Sequence, residues 1–177
     1  AWYDTDALVL SIGDTGDRIA LNGFFHGDDP YGAYNPVQAV RFSDGTTWGV
    51  QDLLSILFSG TDSADRLHGT VAADSMSAGA GADTLDGGAG NDLIDGGGDA
   101  DQLFGGDDSD VIRGGAGSDI LSGGAGADTI YGDEGNDSAV GGTGGDTFFG
   151  GDGSDSHTFE KVPFHPGFLK RVQLIHS

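Results

Sequence analysis

From Gly60 to Thr158 the apolar residues return at a fixed interval of nine, separated by glycine, aspartate and other small polar residues. Leu67, Met76, Leu85, Ile94, Leu103, Ile112, Leu121, Ile130, Ala139 and Phe148 keep this interval, and His157 falls on the next position. A helix would repeat its apolar face every 3.6 residues and a long strand every two, so neither accounts for nine. A strand of about three residues centred on the apolar one, followed by a glycine-rich loop, does.

The flanks follow different rules. ALVLSI at 7–12 alternates, GDTGD at 13–17 reads as a turn and RIALNGFF at 18–25 as a second strand, which together predict a hairpin. VQAVRFSDGTTWGV at 37–50 predicts another hairpin around Asp44-Gly45, and QDLLSILF at 51–58 a short helical or strand-like lead into the repeats. His26, Asp28 and Asp29 fall in a loop and are assigned no catalytic role. The last segment, FEKVPFHPGFLKRVQLIHS, holds three of the seven Lys and Arg residues and two of the four prolines. Phe159, Phe164 and Phe168 within it are candidates for covering the last repeat, since a stack of repeats needs a closed end. The expected organisation is a β cap over 1–59, repeats over 60–158 and a C-terminal cap or tail over 159–177.

Written from Gly60, the repeats are eleven uninterrupted nonapeptides. Position six is aspartate in all eleven: Asp65, Asp74, Asp83, Asp92, Asp101, Asp110, Asp119, Asp128, Asp137, Asp146 and Asp155. Glycine holds position one in ten, failing only at Ala78, position two in eight and position four in seven. Two nonapeptides make a coil of 18 residues. Stacked coils line up the position-eight side chains inside and the loops along two outer edges, so that repeats one apart face opposite edges and repeats two apart are neighbours.

This arrangement puts Asp65, Asp83, Asp101, Asp119, Asp137 and Asp155 on one edge and Asp74, Asp92, Asp110, Asp128 and Asp146 on the other. Successive carboxylates lie about 4.8 Å apart, one strand spacing, and repel each other. The charge balance sharpens the point. Asp and Glu number 29, of which 27 are aspartate, against seven Lys and Arg, for a net charge of −22. Such a chain excludes nucleic acid and anionic membrane surfaces as partners and calls for cations. Ca²⁺ suits the spacing because it accepts six to eight oxygens in a flexible shell, main-chain carbonyls included, whereas Mg²⁺ demands a stricter octahedron. With no cysteine, thiolate sites and disulfides are excluded.

In GGAGNDLID, GGAGSDILS and their neighbours the chain resembles the repeat-in-toxin (RTX) family, whose nonapeptide is GGxGxDxUx. The resemblance implies an all-β fold, a right-handed parallel β-roll preceded by a small antiparallel β cap domain. It also implies calcium ions between stacked loops, held by the position-six aspartates and loop carbonyls. Carried over residue by residue, the metal set is Asp83, Asp92, Asp101, Asp110, Asp119, Asp128, Asp137, Asp146 and Asp155 together with the loop residues Gly79, Gly81, Gly87, Gly88, Gly90, Gly96, Gly97, Asp99, Gly105, Gly106, Asp108, Gly114, Gly115, Gly117, Gly123, Gly124 and Gly126. Six loops on one edge leave five gaps and five on the other leave four, so at most 5 + 4 = 9 ions, which would bring −22 to about −4. Thr61, Ser63, Thr70 and Ala72 replace glycine in the first two repeats, which makes the gaps at Asp65 and Asp74 the weakest matches. DALVLSIGDTGDRIALNGFF and VRFSDGTTW resemble the haemolysin-type calcium-binding-related domain, which implies a β cap shielding the first coil and no activity.

Several positions carry two readings. His157 is either a ligand or pH switch, or the point where the roll stops, and the second is the expectation. Arg66 and Arg113 read as solvated charges, and Phe104, Tyr131, Phe148 and Phe149 as cap packing or a partner surface. Neither HExxH nor GxSxG occurs, so no enzyme is expected in this chain. The leading expectation is a monomeric, secreted bacterial module, disordered without calcium and folded with it, which the resemblance sends through a type I secretion channel before it folds outside. The alternatives are an accessory module of a secreted protease, lipase or polysaccharide epimerase that contacts extracellular polysaccharide, and a calcium-stiffened adhesin segment. No apolar run is long enough to insert in a membrane. The non-methionine start and a basic ending unlike the family's secretion signal read as a processed product or a fragment of a longer chain.

Overall fold

A computed structural model describes residues 7–12, 17–22, 39–41, 45 and 47–158. The turn at 13–16, His26, Asp28, Asp29 and the tail with Phe159, Phe164 and Phe168 lie outside the described residues. The chain divides into two compact units, Ala1–Ile56 and Leu57–Ser177.

In the first unit β1 (Ala7–Ile12) pairs antiparallel with β2 (Asp17–Asn22), Ala7 opposite Asn22 and Ile12 opposite Asp17. β3 (Ala39–Arg41) pairs antiparallel with β4 (Thr47–Gly49), and Gly45 between them takes φ +93°, a left-handed conformation that suits glycine at a hairpin turn. The lead segment is helical, α1 (Val50–Leu57). Asp52 Oδ2 accepts a 2.8 Å bond from the N–H of Gly49, satisfying a donor at the helix start that no turn of the helix can reach.

The second unit is a parallel solenoid. Its strands are β5 (Arg66–His68), β6 (Ser75–Ala80), β7 (Thr84–Ala89), β8 (Leu93–Gly98), β9 (Gln102–Asp107), β10 (Val111–Ala116), β11 (Ile120–Gly126), β12 (Thr129–Glu134), β13 (Ser138–Gly144), β14 (Thr147–Asp152) and β15 (Ser156–Thr158). They form two sheets, ordered β14-β12-β10-β8-β6 and β15-β13-β11-β9-β7-β5. Every pairing is parallel with a register of 18, as in Leu93 opposite Val111 and Val111 opposite Thr129. Repeats two apart are therefore neighbours, and alternate repeats build opposite sheets.

Strand length departs from the expected three residues, since most strands run six or seven. Each continues from the apolar triplet through positions one to three of the next repeat. Glycine makes this possible: position two turns through positive φ, as at Gly97 (+95°) and Gly115 (+99°), yet still pairs with the coils on either side. The glycine-rich stretch is thus half strand and half loop.

Position-eight side chains fill the interior in two columns. One holds Met76, Ile94, Ile112, Ile130 and Phe148, the other Leu85, Leu103, Leu121 and Ala139, all buried. Isoleucine thus stacks on isoleucine in one sheet and leucine on leucine in the other. Phe58, 18 residues before Met76, is also buried, and its carbonyl accepts the N–H of Ser77 at 2.9 Å, so it extends the first column by one layer. At the far end His157 lies opposite Ala139, with its ring 5.3 Å from that of Phe148, and the described coils end at Thr158.

Candidate metal centre

The loops present the two aspartate ladders with a specific wiring. From Asp65 to Asp137 the backbone N–H of each position-six aspartate donates to Oδ1 of the aspartate 18 residues later. Asp83 to Asp101, Asp92 to Asp110 and Asp101 to Asp119 all measure 2.8 Å. From Asp83 onward one carboxylate oxygen of each rung is committed to the coil above it. The other is not. Oδ2 of Asp83, Asp92, Asp101, Asp110, Asp119, Asp128 and Asp137 is buried and accepts no hydrogen bond from the described residues. Asp146 and Asp155, in the last coil, are partly exposed.

Seven such oxygens, four along one edge and three along the other, are a costly arrangement, because a buried carboxylate oxygen loses its water and needs a replacement. The electrostatics register the cost. Burial pushes the carboxyl of Asp92 up to about 7 and those of Asp101 and Asp110 up to about 6, against the opposing pull of the backbone N–H each accepts. Neighbouring carboxylates raise them further: Asp110 and Asp74 act on Asp92, Asp119 and Asp83 on Asp101. Asp119, Asp128 and Asp137 shift the same way for the same leading reason.

The space beside each Oδ2 is shaped by position-one glycine. A Cβ on Gly96 would lie 2.5 Å from Asp101 Oδ2 and 2.6 Å from the carbonyl oxygen of Gly114, one coil further on. Gly87, Gly105, Gly114 and Gly123 have the same surroundings, each facing the aspartate of its own repeat and a glycine carbonyl of the next coil. A carboxylate oxygen and a main-chain carbonyl oxygen therefore converge on a spot that any side chain would fill. Gly79, Gly88, Gly97, Gly106, Gly115 and Gly124 at position two, and Gly81, Gly90, Gly117 and Gly126 at position four, hold positive φ and press against the backbone of the preceding coil. Asp99 and Asp108 take φ of 72° and 73° in exposed loops, doing at position four what glycine does elsewhere.

Among the described residues no three His, Cys, Asp or Glu side chains come together to hold a metal by side chains alone. A cation in these gaps would take its ligands from paired aspartates and main-chain carbonyls, which is the donor set of a hard, oxygen-seeking ion such as Ca²⁺. The residues present fit that ion: the oxygens are buried and carry charge, and one of each pair lacks a donor.

Two features were not visible in the nonapeptide pattern. Thr61 and Thr70 each donate an N–H and a hydroxyl to Oδ2 of their own position-six aspartate, Asp65 and Asp74. On the outer face of one sheet, the rings of Tyr131 and Phe149 stack at 4.9 Å and the guanidinium of Arg113 sits 4.3 Å from the Tyr131 ring centroid. These position-nine residues cover the flank of the roll, so Arg113 is not an isolated solvated charge, and Tyr131 and Phe149 pack on each other along the sheet. Phe104 is exposed and Phe148 belongs to the core.

The family model for the RTX calcium-binding nonapeptide repeat matches residues 59–94, 77–112, 95–130, 104–139 and 131–156, which together span 59–156. That for the haemolysin-type calcium binding protein related domain matches residues 8–52. No curated protein and no solved structure matches the chain. Repeat matches over more than half of the sequence, on a solenoid with a register of 18 and an aspartate at every turn, establish that this chain belongs to the RTX family of calcium-binding nonapeptide-repeat proteins.

Proposed function

We propose that the chain is a non-enzymatic, monomeric module whose repeats fold when calcium fills the gaps between stacked loops, as part of a protein secreted by a bacterium. The observation that carries this reading is the set of seven buried Oδ2 atoms with no hydrogen-bond donor, four on one ladder and three on the other. Asp83, Asp92, Asp101, Asp110, Asp119, Asp128, Asp137, Asp146 and Asp155 would hold the ions, with Gly87, Gly96, Gly105, Gly114 and Gly123 leaving the room beside them. The bound ion would neutralise paired carboxylates and link adjacent coils. Each site at a free calcium tenfold above its Kd adds about 1.4 kcal/mol of stability, so several sites convert a marginal roll into a stable one.

Folding of this kind suits a chain made where calcium is scarce and used where it is millimolar, since extracellular calcium modules work at Kd values of about 10⁻⁴ to 10⁻³ M. Passage through a type I secretion channel while unfolded follows from the same logic. The decisive test is far-UV circular dichroism of chelator-stripped protein during titration with Ca²⁺, with Mg²⁺ in parallel. A cooperative gain of β signal between about 0.1 and 10 mM Ca²⁺, not reproduced by Mg²⁺, is expected. Repeats already folded in chelator, with no response to calcium, would overturn the reading.

A further inference from the structure

The aspartates of the first coil differ from those below in what their Oδ2 atoms meet. In repeat one, Thr61 donates to Asp65 Oδ2 through its N–H at 2.7 Å and its hydroxyl at 2.8 Å. In repeat two, Thr70 donates to Asp74 Oδ2 through the same two groups at 2.6 and 2.9 Å. Each hydroxyl oxygen in turn accepts an N–H two residues on, from Ser63 at 3.2 Å and from Ala72 at 3.1 Å. That acceptance orients the hydroxyl hydrogen toward the carboxylate. The motif is the same on both edges of the coil.

Backbone conformation is part of the device. Position-two glycines of the other repeats take positive φ, and Asp133 does so at 68°, but Thr61 and Thr70 do not. A β-branched residue is disfavoured there, so the first two loops take another route that turns the position-two N–H onto the carboxylate. Two hydrogens then point at the oxygen that a cation would need. A backbone N–H cannot reverse its polarity to face a metal.

From this we infer that Thr61 and Thr70 are built-in substitutes for calcium, so that the gaps Asp65/Asp83 and Asp74/Asp92 hold no ion. The inference rests on the calcium reading above and deepens it. The roll then carries at most seven ions, matching the seven uncommitted Oδ2 atoms, instead of the nine that counting gaps allows. Its first coil is closed by hydrogen bonds alone, which gives the calcium-dependent coils a neighbour whose loops are shaped without metal.

Native mass spectrometry of the full chain at saturating Ca²⁺ counts the ions directly. No more than seven are expected for the unaltered protein, and eight or nine would overturn the inference while leaving calcium binding intact. A variant carrying Thr61→Gly, Ser63→Gly, Thr70→Gly and Ala72→Gly restores glycine at positions two and four of both repeats. It is expected to bind two more ions than the unaltered protein, and an unchanged count with the fold preserved would also overturn the inference. If the variant fails to fold, the count for the unaltered chain still decides. Binding of no calcium by the unaltered protein would overturn the calcium reading itself.

Discussion

The N–H of Asp92 donates to Oδ1 of Asp110 at 2.8 Å, while Oδ2 of the same Asp110 is buried with no donor facing it. One carboxylate thus does two jobs, holding the coil above through one oxygen and keeping the other for a cation. The two jobs respond differently to substitution.

Asp110→Asn separates them. The amide oxygen still accepts the Asp92 N–H, but the charge that attracts calcium is gone from the gaps Asp92/Asp110 and Asp110/Asp128. In calcium the variant should be less stable by about 3 kcal/mol, two sites at about 1.4 kcal/mol each. In chelator the sign reverses, because a buried charge has been removed and its repulsion with Asp128 relieved. Thermal melts with and without calcium check both halves, and equal destabilisation in the two conditions would contradict the assignment.

Position-one glycine is tested by Gly105→Ala. The new Cβ would fall inside van der Waals contact of Asp110 Oδ2 and the Gly123 carbonyl oxygen, and the Asp110 carboxylate is held in place by the bond its Oδ1 accepts from the Asp92 N–H. A loss of about 2 to 4 kcal/mol in calcium is expected, on the scale of overpacking a filled core. Gly145→Ala is the control: no atom lies within 4 Å of a Cβ there and φ is not positive, so its effect should stay within about 0.5 kcal/mol. Denaturant titration of both proteins makes the comparison.

The pH dependence of the metal-free roll follows from the raised carboxyls. Asp92 goes from an ordinary 3.8 to about 7 in the fold, and Asp101 and Asp110 to about 6. Between these limits the folded state binds more protons than the unfolded one, so stability is fully present below the unfolded value and is lost as pH rises through the folded one. In chelator, β signal should therefore grow as pH falls from about 8 to 5. Calcium binding should weaken over the same range and release protons, measurable as buffer-dependent heats in calorimetry.

The interior column predicts a large, calcium-independent penalty. Ile112 is fully buried between Ile94 and Ile130, and Ile112→Ala should cost about 3 kcal/mol whether or not the sites are filled. Ile120→Ser, at a position 52% exposed on the outer face, should be nearly neutral. Calcium midpoints from circular dichroism distinguish the two.

Periodicity made the architecture readable from the residues. One apolar position in nine named the columns, and a constant aspartate named the ladders, because a solenoid reuses one local solution with a fixed register. What stayed hidden depended on atoms within a residue. That each carboxylate spends one oxygen on a backbone N–H is a matter of peptide orientation, which composition does not carry. Thr61 and Thr70 read as lapses from glycine, yet Thr-x-x-x-Asp in both repeats was a signal that two hydroxyls could reach two carboxylates. Phe58 stands outside the glycine pattern, although its distance of 18 from Met76 marks it as one more layer. The stack of Arg113, Tyr131 and Phe149 was also spaced by 18, but its side chains fall on the outer face, where the pattern of small residues sets no expectation.

The N–H-to-carboxylate wiring also gives the solenoid an arrow. Each coil points donors at its successor and acceptors at its predecessor, so the ladder begins in carboxylates and ends, at Asp146 and Asp155, in amide hydrogens. Eighteen residues beyond those two stand Phe164 and Gln173, so no further aspartate rung follows in the sequence. Unlike groups mark the two ends of the ladder, and two copies could therefore continue one ladder only head to tail, an arrangement without a two-fold axis and with no built-in stopping point. A roll of this kind stays single only if its two termini are closed by different chemistry.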